Sequence, residues 1–253
     1  METDSRRAAG QQFGQTSGIT AANAGNLTAF HQDTDNKAGM DGGDNKVIWG
    51  DPVCQIQNTD GSISYYYDKK ADDGTGLTQA VADAKENDTI EMLVEDYKIP
   101  KAITVDNKTL TVTKASTLTT ATLTNAENGA NTSGMFINNG NLTFKAITME
   151  GNGGNNQNRA VYQKAGTLTL DHVTLNNFKQ TSWYGGAGAV EGGTVEVKAS
   201  AITNCAGNVG GAIGTNVSTT TPIAITIEAS TITGCSGRHG GALFANYSGT
   251  QFT

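Results

Sequence analysis

Residues 204–216 read NCAGNVGGAIGTN, and residues 234–246 read GCSGRHGGALFAN. Each copy of C-x-G-x-x-G-G-A-aliphatic follows an Ile-Thr pair, Ile202-Thr203 and Ile232-Thr233. A near-repeat at this distance marks a structural unit that is stacked on itself, because one such unit cannot bury its apolar face alone. Working outward, the same unit recurs as an aliphatic-x-aliphatic triplet starting at Leu142, Leu168, Val195 and Ile225, which gives units of 26 to 30 residues. Leu110-Thr111-Val112 opens an earlier, longer unit. Seven residues after each start stand Met149, Leu175, Ile202 and Ile232, and later in each unit comes Ala-aliphatic, from Ala160-Val161 to Ala242-Leu243. Each unit therefore carries three short strand segments with inward side chains at period two. Nine residues after each start stand Gly151, Asn177, Asn204 and Gly234. Gly and Asn tolerate a left-handed backbone, so this column predicts a tight corner at the same place in every coil. The expected fold is all-β, a parallel β-helix (solenoid).

Composition agrees. The chain has 253 residues with 32 Gly, 36 Thr and 23 Asn but only 3 Pro, a balance that favours short strands and turns over helices. A net charge of -7 argues against a nucleic-acid partner, which needs a basic stripe. No apolar run is long enough for a membrane-spanning helix, so no membrane insertion is expected of this segment. METDSRRAAG lacks the apolar region of a secretory signal, and NYSGTQFT reads as the interior of a further repeat. The chain is therefore expected to be a truncated piece of a longer one.

Three regions follow. Residues 1–46 show no periodicity and are expected to be flexible or weakly ordered, with Phe13, Leu27 and Phe30 able to dock. Residues 47–88 form an N-terminal cap. There VCQI and SISYYY read as strands, and Leu77, Ala80, Val81 and Ala84 form one face of a short helix that Thr75 or Thr78 can cap. Such a helix covers the open end of a solenoid core. Residues 89–253 are the β-helix.

Two motifs carry a family resemblance. Gly210-Gly211-Ala212-Ile213 and Gly240-Gly241-Ala242-Leu243 match a GGA-aliphatic motif, and Phe136-Ile137-Asn138-Asn139 matches F-x-x-N. These resemble the repeats of polymorphic outer-membrane proteins. More broadly, residues 77–253 resemble the pectate-lyase-like right-handed β-helix proteins of bacterial surfaces, and LTQAVADAKENDTIEML at 77–93 resembles their entry segment. The resemblance implies an extracellular or cell-surface location. It leaves function open, because this scaffold hosts lyases, hydrolases, tailspikes and adhesins.

The chemistry-bearing residues narrow the choice. The outward row reads Thr143, Thr169, Glu196 and Thr226, so it holds one isolated acid where acid/base work on a sugar needs two. The row either hydrogen-bonds a flat ligand or reflects the β-propensity of Thr on a solvated face. His31, His172 and His239 share no metal-ligand spacing, and Asp33, Asp35, Asp41 and Asp44 lack the ligand order of an EF-hand. No metal and no cofactor are expected. Trp183 and Tyr184 stand in an insertion, NNFKQTSWYGGAG, that lengthens one coil edge. Exposed aromatics of this kind serve carbohydrate or protein contact, or fold back over the coil. Lys145, Asp171, Lys198 and Glu228 fall in one column and predict a ladder of alternating charge. Cys205 and Cys235 fall in another, expected as reduced, inward thiols, with Cys54 unpaired in the cap. The reading is a monomeric adhesin or ligand-presenting stalk that binds a glycan or a host or bacterial surface protein through Trp183 and Tyr184 and does not catalyse. A polysaccharide lyase or glycoside hydrolase and a structural spacer are the alternatives.

Overall fold

The aliphatic triplets stack into continuous columns. In the computed structural model, Leu110, Leu142, Leu168, Val195 and Ile225 lie opposite one another in successive parallel strands and are all buried. Val112, Phe144, Leu170 and Val197 form the next inward column and are buried too. Between them the Thr residues point outward, as the two-residue repeat of a strand requires. The structure describes residues 11–13, 38–40, 47–49, 51–58, 61–69, 71–126, 134–152, 159–215, 222–245 and 250–253.

The result is a parallel β-solenoid of about five turns. One face runs through Thr167–Asp171, Gly193–Lys198 and Ile223–Glu228. A second face is a six-stranded sheet from Asp96–Ile99 to Thr231–Thr233. A third runs through Val161–Gln163, Gly188–Val190, Ile213–Thr215 and Leu243–Phe244. The long strand Phe136–Lys145 joins the first and third faces, since its start pairs with Val161–Gln163 and its end with Thr167–Asp171.

The corner column holds with one shift. Asn177, Asn204 and Gly234 have left-handed backbones, but in the earlier coil the left-handed residue is Asn152 and not Gly151. Gly151 is required for a different reason: a Cβ there would run into the carbonyl of Asn177 on the next coil. A second left-handed column was not expected. It consists of Ala146, His172, Ala199 and Ala229, four residues after each start. Such a backbone is unfavourable for residues with a Cβ. It is held by coil-to-coil bonds: Ala146 N–H donates to the Asp171 carbonyl, His172 to Lys198 and Ala199 to Glu228, each at 3.0 Å.

Several of the polar side chains that enter the core are satisfied there. Asn138 and Gln163 stack inward, and the Asn138 amide donates to Gln163 Oε1 at 2.7 Å. Asn139 of the F-x-x-N match lies at the surface and donates to Asp106. Ser200 replaces the aliphatic residue of earlier coils because its hydroxyl donates to the Lys198 carbonyl and accepts from Val173 N–H.

The cap forms as expected, with different capping chemistry. The helix Thr75–Asp83 buries Leu77, Ala80 and Val81 in the same hydrophobic cluster as the first coils. Neither Thr75 nor Thr78 caps it. The N-cap is Gly74, Asp73 Oδ1 accepts from Thr75 N–H at 3.0 Å, and the next two N–H groups are met by distant side chains. Asp68 accepts from Gly76 N–H at 2.8 Å, and the Tyr97 hydroxyl accepts from Leu77 N–H at 3.1 Å. At the other end Lys108 Nζ donates to the carbonyls of Val81, Ala82 and Ala84, so a cation from the solenoid closes the helix C-terminus. Tyr66 and Tyr67 are buried in the cap, whereas Tyr65 is exposed.

Most of residues 1–46, with Leu27, Phe30, His31 and the acidic run Asp33, Asp35, Asp41 and Asp44, lie outside the described residues. Gln11–Phe13, Ala38–Met40 and Val47–Trp49 form a small antiparallel sheet. No helix of the described residues is long and apolar enough to cross a membrane.

Candidate functional site

Trp183 and Tyr184 sit on a bulged strand, not in a loop. Lys179–Tyr184 pairs in parallel with Ala206–Val209, with Gln180 opposite Gly207 and Tyr184 opposite Val209. Three residues, Thr181 to Trp183, therefore face the single Asn208 on the partner. The extra length leaves the ladder, and Trp183 is 53% exposed, the most exposed large hydrophobic residue described. The chain returns to register at once, as Gly185 N–H donates to the Val209 carbonyl at 2.8 Å. Bulges of this kind re-aim a side chain while the flanking ladder stays rigid.

The neighbouring coil supplies the rest of the site. Ala160 N–H donates to the Ala187 carbonyl, and Val161 lies opposite Gly188, so Ala160 to Tyr162 fall one rung from Ala187 to Ala189, the residues that follow the bulged strand. Tyr162 points outward and its hydroxyl donates to Glu191. Glu191 is placed by its own N–H, which donates to the Gln163 carbonyl at 2.8 Å. Two cations flank the Tyr162 ring, the Arg159 guanidinium at 5.3 Å and Lys164 Nζ at 5.7 Å from its centroid. The Arg159 stem lies over Gly134, where a Cβ would come within 2.9 Å of its Cγ.

The electrostatics tie these groups together. Burial, the hydrogen bond to Glu191 and the Glu191 charge push the Tyr162 phenol above its ordinary range, Arg159 opposes them, and Tyr184 adds to the rise. Two phenols and a carboxylate thus share one field. Burial pulls Arg159 down to about 10, against the attraction of Tyr162 and Glu191. Its Nε and Nη2 are buried and have no hydrogen-bond partner. The arrangement offers an exposed indole for stacking, two phenols, a carboxylate acceptor and the exposed Lys164 ammonium. Arg159, Tyr162, Lys164 and Glu191 belong to no repeated motif. They are invisible in the sequence because only coil-to-coil register brings Tyr162 to Glu191 and within the field of Tyr184.

The other expected columns can be placed as well. Thr143, Thr169, Glu196 and Thr226 do form one outward row. Glu196 accepts from Lys198 Nζ at 2.8 Å, and that bond holds its carboxyl below the usual range, as fits a charged acceptor and not a proton donor. Lys145, Asp171, Lys198 and Glu228 share one register, but the expected ladder of neighbour-to-neighbour pairs is not what Lys198 and Asp171 make. Lys198 bonds Glu196 on its own strand, and Asp171 contacts His172 Nδ1 at 2.6 Å. Asp171 and Glu228 still help to raise the Lys198 pKa. Because these pairs are exposed, Lys198→Ala is expected to leave the urea-unfolding midpoint nearly unchanged. A larger loss would mean that the column acts as a network. His239 ends the strand Ser236–His239 at the surface, 6.3 Å from Phe244. Among the described residues no group of three or more His, Cys, Asp or Glu gathers to hold a metal.

Fold and site together define a parallel β-solenoid with an aromatic, charge-flanked ridge on one corner. Compared with protein-family models, curated proteins and solved structures, the chain matches none.

Proposed function

We propose that this solenoid is a cell-surface adhesin or ligand-presenting stalk that binds glycans at the Trp183 ridge. The observation that supports the reading best is the bulge that exposes Trp183 on a rigid ladder. A rigid indole offers a sugar ring a stacking platform at low entropic cost, and the flanking donors and acceptors can meet its hydroxyls. Resemblance to pectate-lyase-like β-helix proteins and to the repeats of polymorphic outer-membrane proteins supports an extracellular setting and a right-handed coil. It carries no argument beyond that.

The test is a glycan screen on the purified chain that includes pectins, alginate and host-type glycans, with and without calcium, followed by titration of the best binder. Trp183→Ala is expected to weaken binding at least about tenfold, as central aromatic contacts do, with the melting temperature unchanged because the side chain is exposed. Affinity that survives both Trp183→Ala and Tyr184→Ala would overturn the site. Release of unsaturated or reducing sugars during incubation would overturn the binding-only reading in favour of a lyase or hydrolase.

A further inference from the structure

Cys205 and Cys235 occupy the same inward position on successive coils. The residues that follow them are paired in register, Ala206 opposite Ser236, and Ser236 N–H donates to the Cys205 carbonyl at 2.9 Å. Neither cysteine is in a disulfide. Each lies near a carbonyl of its own strand, Cys205 Sγ 3.1 Å from Thr203 O and Cys235 Sγ 3.5 Å from Thr233 O. Cys205 is fully buried, whereas Cys235 is half-buried and gives access from solvent.

The spacing of the ladder decides what such a pair can hold. Parallel strands in register stack about 4.8 Å apart and aim equivalent side chains the same way. A disulfide needs its Cβ atoms about 3.5–4.5 Å apart and its sulfurs at about 2.05 Å, so it would pull two hydrogen-bonded coils together. An ion bridging two sulfurs asks for less. Two metal–thiolate bonds of about 2.3 Å span about 4.6 Å in a straight line, close to the rung distance. With no third or fourth ligand gathered among the described residues, the pair does not suit zinc, which takes four. Thiolates select soft Cu(I).

We propose that Cys205 and Cys235 form a two-coordinate site for Cu(I), bridging two rungs of the solenoid. Loading forms two S–Cu bonds and breaks two S–H bonds, and both protons leave to solvent. No electron moves when copper arrives as Cu(I). Burial of Cys205 keeps further ligands from that side of the ion. The site is independent of the glycan reading, since it lies on an inward column and shares no residue with the Trp183 ridge.

The experiment is an anaerobic titration of the reduced full chain with Cu(I) held by a colorimetric chelator such as bicinchoninate. Transfer of one equivalent is expected, with a near-ultraviolet copper–thiolate band and no change in oligomeric state on a sizing column. Cys54→Ser should keep the site. Cys235→Ser and Cys205→Ala should each lose it, with circular dichroism confirming the fold of both. No transfer from the chelator overturns the proposal, as does transfer that persists in both variants or that converts the chain to a dimer. Ready closure of a Cys205–Cys235 disulfide by a small-molecule disulfide, with no loss in melting temperature, overturns it too, because the sulfurs would then be free to close to bonding distance.

Discussion

Phe178→Ala is expected to destabilise the solenoid by about 3–5 kcal/mol, read from urea unfolding. Phe178 is fully buried and is the bulkiest residue of its column, where the next two coils carry Cys205 and Cys235. Removing the ring empties a space that its neighbours cannot fill. Ala206 N–H donates to the Phe178 carbonyl, which holds the next coil at ladder distance, and Gly151 already lies against the Phe178 backbone from the coil before. The site therefore cannot collapse, and the loss belongs at the upper end of the range for such deletions. Phe178→Leu keeps most of the volume and should lose less than about 1.5 kcal/mol. Because each coil contacts only its neighbours, the alanine variant is also expected to broaden the transition, as the coils on either side unfold less cooperatively. A loss below about 1 kcal/mol would show that the column is not closely packed at this rung.

The second large effect lies in the cap. Asp68→Ala is expected to lose about 2–4 kcal/mol, whereas Asp68→Asn should stay within about 1 kcal/mol of the natural protein. Oδ1 of Asp68 accepts both Gly76 N–H and the Tyr97 hydroxyl, at 2.8 and 2.7 Å. Alanine leaves a helix N–H uncapped, which costs about 0.5–2 kcal/mol, and a buried hydroxyl without its acceptor, which costs about 1–3 kcal/mol. Asparagine keeps the oxygen. The pair also predicts a pH dependence. Burial outweighs the hydrogen bonds and raises the Asp68 carboxyl above 3.8, its ordinary value. As pH rises from that value through the raised one, the unfolded chain has lost its proton while the folded chain still holds it. Folding stability therefore falls across that window and levels off above it. Asp68→Asn should flatten this part of the stability–pH curve. An unchanged slope in the variant would assign it to another group.

The aliphatic triplets, the Ala-aliphatic pairs and the Asn177, Asn204 and Gly234 corners were legible because each repeats a local requirement. Alternation makes a strand, and a left-handed turn selects Asn or Gly. The Ala146, His172, Ala199 and Ala229 corner was not legible, because nothing about Ala or His signals a left-handed backbone. There the bonds between coils impose the conformation against the residue's own preference. Likewise Thr75 and Thr78 were reasonable caps by local rules, but Asp68, Tyr97 and Lys108 reach the helix from other elements.

The site divides in the same way. Trp183 and Tyr184 stood out as an aromatic pair in an insertion. That the insertion is a strand bulge, and that Tyr162 meets Glu191, depends on which residues face each other across coils. By itself the sequence determined the repeat, the inward columns and the parallel stacking, since these follow from patterns within a few residues of each other. Only the tertiary structure decided how the cap is closed, that the aromatic insertion is a strand bulge, and which charged groups meet across coils. Those depend on the fixed distance between rungs, about 4.8 Å, and on residues more than twenty positions apart meeting across it.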